Sequence, residues 1–189
     1  MAKKIIILLA SPHADGNTSK VAHWISDGAQ ACGADVETID LTKLYYKTGG
    51  CIACMACHRS DEFRCVIDDD ASPLLARLPE ADVLLFATPV YWGGPTAQLK
   101  RFMDRMFSLT KFSDDGEMAH ALKSTRFALL ATAGGDLEDG LSLTEKVFEF
   151  ATVACAGDLI SLLVPNAHDT DDDDLSDKAA DFGRKLAEI

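Results

Sequence analysis

A chain of 189 residues, 48% hydrophobic and 25% charged, can bury a substantial layered core and is too apolar to be disordered. A formal net charge of −12 argues against nucleic acid or an anionic membrane surface as partner. No apolar run reaches the length of a bilayer span, and the run after residues 1–4 is too short for a signal sequence. One domain over residues 1–189, located in the cytoplasm, is therefore expected.

The first element is the continuous apolar run Ile5-Ile6-Ile7-Leu8-Leu9-Ala10. Such a run reads as a strand buried on both faces. Pro12 stops it, Gly16 allows a bend, and Asn17, Thr18 or Ser19 can cap the following helix, expected over residues 17–32. A loop of hydroxyls and amides at a helix N-terminus suits a phosphate, although an ordinary strand-to-helix turn has the same composition. It carries neither a P-loop nor a dinucleotide fingerprint. Residues 35–41 alternate polar and apolar, as expected of a half-exposed strand near a sheet edge.

An irregular cysteine-rich loop follows, at about residues 47–69. A short helix over about 71–78 leads into a second buried strand, 81–88. The segment Pro89-Val90-Tyr91-Trp92-Gly93-Gly94-Pro95 is expected to break that strand before a helix over about 96–109. Residues 125–132 form the third buried strand, ending at Ala133-Gly134-Gly135. A helix over 141–155, a strand over 159–164 and a helix over about 174–188 complete the chain. The acidic run of residues 169–177 suits the N-terminus of that last helix and makes a poor calcium loop.

Strands alternating with helices predict an α/β fold with a five-stranded parallel sheet in doubly wound order 2-1-3-4-5. That order sets the strands ending at Ala10, Thr88 and Thr132 side by side, so three unusual loops share the edge where such sheets bind ligands. Core packing would also account for Tyr91 and Trp92, but a Trp among prolines and glycines at a strand end favours a ligand contact. Lys100, Asp104 and Arg105 share a helix at ion-pair spacing and read as a surface or subunit-interface pair. Phe102, Met103, Met106, Phe107 and Phe112 form an apolar set that exceeds obvious core needs and suggests a subunit interface.

Ser11-Pro12-x-x-x-Gly16-Asn17-Thr18, then Pro89-Val90-Tyr91-Trp92-Gly93, then Leu99-Lys100-x-Phe102-x-Asp104-Arg105 resembles the NADPH-dependent FMN reductase branch of the flavodoxin-like superfamily, from Lys4 to about Val164. Where that family commonly has Arg, this chain has His13. The resemblance implies a flavodoxin-like three-layer sandwich and an FMN-dependent oxidoreductase. Its phosphate site would be Ser11, His13, Gly16, Asn17, Thr18 and Ser19. Pro89, Val90, Tyr91, Trp92 and Gly93 would hold the isoalloxazine, and Ala133, Gly134 and Gly135 would approach it from the other side. No residue is assigned a catalytic role, because the flavin carries the chemistry.

Of six cysteines, Cys32 and Cys155 lie in helical, apolar contexts and are expected to be buried. Cys51, Cys54, Cys57 and Cys65 form a CxxCxxCx7C run, which can wrap a cubane. The run resembles that of the iron–sulfur flavoproteins, a subset of the same family, implying these four as ligands of a [4Fe-4S] cluster near a flavin, often that of a neighbouring subunit. Structural zinc, a thiol–disulfide loop and cysteines without a cluster stay open. The leading expectation is electron relay between cluster and FMN, with NAD(P)H or ferredoxin as donor, in a homodimer or homotetramer. Alternatives are an NAD(P)H-dependent FMN or quinone reductase without a cluster, a non-catalytic redox sensor, and a flavin-free interaction domain.

Overall fold

The computed structural model describes residues 2–113, 115–155, 157–168 and 173–189, the side chains of residues 153–155 excepted. The expected burial of Cys155 and the acidic residues 169–172 thus lie outside the described residues.

Among the described residues five strands run parallel: β1 (Lys4–Leu9), β2 (Asp35–Asp40), β3 (Val83–Tyr91), β7 (Arg126–Thr132) and β8 (Leu159–Val164). Their spatial order is β2-β1-β3-β7-β8, the doubly wound order expected of the sequence. The period of two explains why three of them read as unbroken apolar runs. In β1, Ile6 and Leu8 face one core while Ile5 and Ile7 face the other. In β3 and β7, Phe86 and Phe127 join the first core, and Leu85 and Leu130 the second. Each fully buried aliphatic or aromatic side chain contributes roughly 1.5–3 kcal/mol.

Helices α1 (Asn17–Ala31) and α5 (Asp173–Glu188) cover the second core. They cross so closely that a Cβ on Gly28 would lie 2.1 Å from the Ala180 carbonyl oxygen, and one on Gly183 2.0 Å from that of Ile25. Helices α2 (Ala71–Arg77), α3 (Ala97–Arg105) and α4 (Leu141–Cys155) cover the first core through Leu74, Leu75, Leu99, Phe102 and Phe148.

The structure corrects four expectations. β3 runs on through Pro89, which pairs in register with Thr132. Ala10 N–H donates to the Ala87 carbonyl, so two residues later Pro89 turns its missing N–H to the same side, past the end of β1. Tyr91 then pairs with Gly94 of the two-residue strand β4 (Gly94–Pro95), making a tight hairpin. A second hairpin, β5 (Thr110–Phe112) with β6 (Met118–His120), occupies a segment where no element is expected from sequence. Cys32 is exposed, since it lies at the C-cap of α1, beyond the packed face. Arg105 is buried: only Lys100 and Asp104 form the expected surface pair.

Candidate functional site

The loops after β1, β3 and β7 meet at one edge, and hydroxyl groups hold them together. Thr18 Oγ1 and Thr132 Oγ1 lie 2.7 Å apart in a buried hydrogen bond between the start of α1 and the end of β7. Thr96 Oγ1 donates to the Ala10 carbonyl at 2.9 Å, and Thr96 N–H donates to Thr88 Oγ1 at 3.1 Å. The ends of β1 and β3 are thereby tied to the start of α3.

Together these loops line a cleft of about 260 Å³. Its walls include Ser11, His13, Gly16, Asn17 and Thr18 from the first loop, Pro89, Val90 and Tyr91 from the second, and Ala133 and Gly134 from the third. A fourth loop, after β8, was not anticipated. Ala167 also lines the cleft, its N–H donates to the Ala133 carbonyl at 2.8 Å, and its own carbonyl accepts from Asn17 Nδ2. Its polar, loop-like sequence gave no signal beyond lying at a strand's carboxyl end.

Ser19, Trp92, Gly93 and Gly135 do not line this cleft. Ser19 Oγ instead donates to the His13 carbonyl at 3.0 Å and braces the loop. Gly135 packs against Asp139. Trp92 and Gly93, at φ +52° and +73°, form the tip of the β3–β4 hairpin, with positive φ at both turn residues as a type I′ turn requires. The Trp92 side chain is fully exposed.

The N-cap of α1 is Gly16, which offers no side-chain cap, and no acidic residue lies in the first turn. The N-terminal peptide groups of α1 therefore keep their partial positive charge at the cleft wall, where it suits an anion. That arrangement fits the phosphate of a flavin mononucleotide, and half-exposed Tyr91 offers an aromatic face to a ring.

The cysteine loop forms a second candidate site. Ala53 and Met55, at φ +51° and +55°, are left-handed non-glycine residues, and a 3₁₀ turn, Ala56–Arg59, follows. These bends bring Cys51, Cys54, Cys57 and Cys65 to the wall of one small cup with Arg105 and Ser108. Strained residues of this kind persist where surroundings enforce them.

The enforcing contacts are visible at both ends of the loop. Arg105 Nη1 donates to both carboxylate oxygens of Asp69, at 2.8 and 2.7 Å, with neither side chain exposed. Asp69 also accepts from Lys47 N–H at 3.0 Å, and Asp70 accepts from Tyr45 N–H at 2.7 Å. Burial pushes Asp69 up, but donation from Arg105, Lys47 and Ser72 outweighs it and leaves the carboxyl below its usual range. Burial likewise works against the Arg105 charge, yet donation to Asp69, and then Cys65 nearby, leave its pKa raised.

From β5, Lys111 Nζ donates to the carbonyls of Cys57 and Ser60. The His58 ring packs 4.8 Å from Phe107 and 5.6 Å from Phe112, centroid to centroid, which gives two members of the expected interface set a role within the chain. Phe102 is core, and Met103 and Met106 pack against it. Burial, and then Cys65 nearby, push the Cys57 thiol up, with Lys111 opposing.

Arg105 and Ser108 line the cup, and Arg105 Nε and Ser108 Oγ are buried with no partner among the described residues. Donors of that kind fit a group rich in sulfur acceptors. Among the described residues, no three His, Cys, Asp or Glu side chains are grouped to hold a single metal ion. The four cysteines share a cup without converging on one point. The cup and the cleft share no lining residue.

Residues 3–186 match the family described as NADPH-dependent FMN reductase. Over 199 aligned positions the chain is 29% identical to an iron-sulfur flavoprotein of Methanocaldococcus jannaschii, covering 98% of this chain and 96% of that one. It is 32% identical over 131 positions to an iron-sulfur flavoprotein of Methanosarcina thermophila, a match covering 69% of this chain and 63% of that protein. Among solved structures it is similar to an NAD(P)H:quinone oxidoreductase from Methanothermobacter marburgensis (TM-score 0.76, 18% identity, 99% and 98% of the two chains). It is also similar to an FMN-dependent NADH-azoreductase from Bacillus anthracis in complex with FMN (TM-score 0.72, 14% identity, 100% and 98%). At these identities, the structural likeness carries the fold.

Proposed function

This chain belongs to the NADPH-dependent FMN reductase family and is an FMN-dependent oxidoreductase; from that premise we propose that the strand-end cleft holds FMN and that the cysteine cup holds a [4Fe-4S] cluster. The protein then relays electrons between a one-electron and a two-electron partner. FMN takes up electrons as hydride or singly, and a cubane cluster passes them one at a time.

Ser11, His13, Gly16, Asn17 and Thr18 hold the phosphate in this reading, with Ser19 bracing the His13 carbonyl. Pro89, Val90 and Tyr91 line the ring side, and Ala133 and Gly134 the facing wall. Trp92 and Gly93 make the rim, and Gly135 sets the third loop's course. Cys51, Cys54, Cys57 and Cys65 are the cluster ligands. The observation that carries the reading is the coexistence, in one chain, of a helix N-terminus without a side-chain cap at a multi-loop cleft and a clamped four-cysteine cup with two donors that lack a partner among the described residues. The names of the archaeal relatives support it.

Cleft and cup share no residue, so relay between them calls either for a path through the chain or for a neighbouring copy. We assign the chain to a homodimer or homotetramer: Leu143, Val147 and Phe150 form an exposed apolar stripe at helical spacing on α4. A second reading, favoured by the family's donor and by the exposure of Tyr91 at the cleft, is NAD(P)H-dependent reduction of FMN or a quinone with the cysteines as plain thiols.

Anaerobic purification with FMN, iron, sulfide and zinc measured per chain separates the readings. The relay predicts one FMN, four irons and four sulfides, with the flavin bleached in stopped flow by reduced ferredoxin or NADPH. Flavin without iron supports the second reading. Bound flavin that neither donor bleaches identifies a sensor and contradicts both.

A further inference from the structure

Two side chains lining the cysteine cup each carry a buried donor atom with no partner among the described residues. Arg105 and Ser108 are 1% and 2% exposed. The Arg105 guanidinium uses Nη1 on Asp69, and Nη2 donates to the Ile67 carbonyl at 3.4 Å, leaving Nε unpartnered among the described residues. Ser108 Oγ is unpartnered in the same sense. A buried donor left unsatisfied is costly, and more so if it is charged. Native folds retain few of them without a functional reason.

Both residues line the cup, and the remaining side chains there, the four cysteines and the Met55 thioether apart, are aliphatic or aromatic. Sulfur is therefore the side-chain acceptor within the cup. A thiolate-bound cluster is anionic and becomes more so on reduction. Hydrogen bonds to its sulfurs favour the reduced state, and so does an uncompensated positive charge nearby.

We propose that Arg105 Nε–H and Ser108 Oγ–H donate to sulfur in the cup and raise the reduction potential of the cluster, with Asp69 offsetting the guanidinium charge. The inference rests on the cluster reading above and assigns two residues that the cysteine motif does not contain. Ser108 is the cleaner probe, because its hydroxyl makes no other bond among the described residues and its loss leaves nothing unpaired. Arg105 also clamps the loop through Asp69, so its variant must keep the charge.

The test uses the full chain as wild type and as Ser108→Ala, Arg105→Lys and Asp69→Asn. Each is reconstituted anaerobically with ferrous iron and sulfide, then titrated redox-potentiometrically by visible absorbance and EPR. Ser108→Ala is expected to keep wild-type iron and sulfide content. Its cluster-free form should melt at or above the wild-type temperature, while its cluster titrates lower by roughly a tenfold change in the reduction equilibrium, about 59 mV for one electron. Arg105→Lys, which keeps the charge and lacks Nε–H, shifts the same way. Asp69→Asn shifts the opposite way. A wild type that takes up no iron and sulfide overturns the cluster reading and this inference together. A loaded wild type whose Ser108→Ala and Arg105→Lys variants titrate unchanged overturns this inference alone.

Discussion

Thr18 and Thr132 show how single side chains set the cleft. Their hydroxyls meet in a buried bond that fixes the start of α1 against the end of β7. Thr18→Val should cost about 1–3 kcal/mol, since it strands the Thr132 hydroxyl. Denaturant unfolding reads the loss, and FMN affinity should fall with it; unchanged stability would mean the hydroxyls are solvated instead. Trp92 presents the reverse case, a fully exposed aromatic held at φ +52°. Trp92→Asn should raise unfolding free energy by about 1 kcal/mol, because Asn tolerates the left-handed region. The same change should weaken binding of a ring ligand at the rim, and unaltered binding would remove Trp92 from the site. Residues such as Ser11, Asn17 and Thr18 were legible because short polar side chains directly follow an apolar strand. Arg105 was not: its local spacing suggests a surface pair, and its burial depends on Asp69, 36 residues away in sequence.

At the scale of elements, the cysteine loop behaves as a clamped unit. Asp69 holds it through a carboxyl whose pKa is depressed in the folded chain. A depressed folded pKa contributes stability fully above the unfolded value, about 3.9, and loses it as pH falls through that value toward the folded one. The wild type should therefore lose stability steeply below about pH 4. Asp69→Asn should be less stable at pH 7 and show a shallower acid limb, measured by denaturation at both ends of that range. Lys111→Met removes the grip on the Cys57 and Ser60 carbonyls. It should speed proteolysis of the loop, and iron loss if the proposed cluster is bound, while leaving FMN affinity intact; parallel loss of FMN would show that the two sites are not separable. The four-cysteine spacing was legible, but the clamp was not, because β5 and β6 are three-residue strands with no periodic signal. The extension of β3 was hidden by Pro89, whose missing N–H falls beyond the end of β1.

Over the whole molecule, the sheet order could be read from sequence because three unbroken apolar runs can only be central strands, and right-handed crossovers leave few arrangements. The same topology collects strand-end loops at one edge, so the cleft's location followed from the order alone. Its fourth wall did not, since the loop after β8 reaches the cleft through backbone bonds to Ala133. The exposed stripe on α4 predicts a dimer or tetramer by sedimentation, and a monomer at all concentrations would contradict that assembly.

A flavin phosphate seated at the N-terminus of α1 has one direct test: calorimetric titration of the flavin-free chain with FMN and, separately, with riboflavin. One FMN should bind per chain, and riboflavin, identical but for the phosphate, should bind at least a hundredfold more weakly, roughly 2.7 kcal/mol. Equal affinity for the two, or binding of neither, would contradict the account.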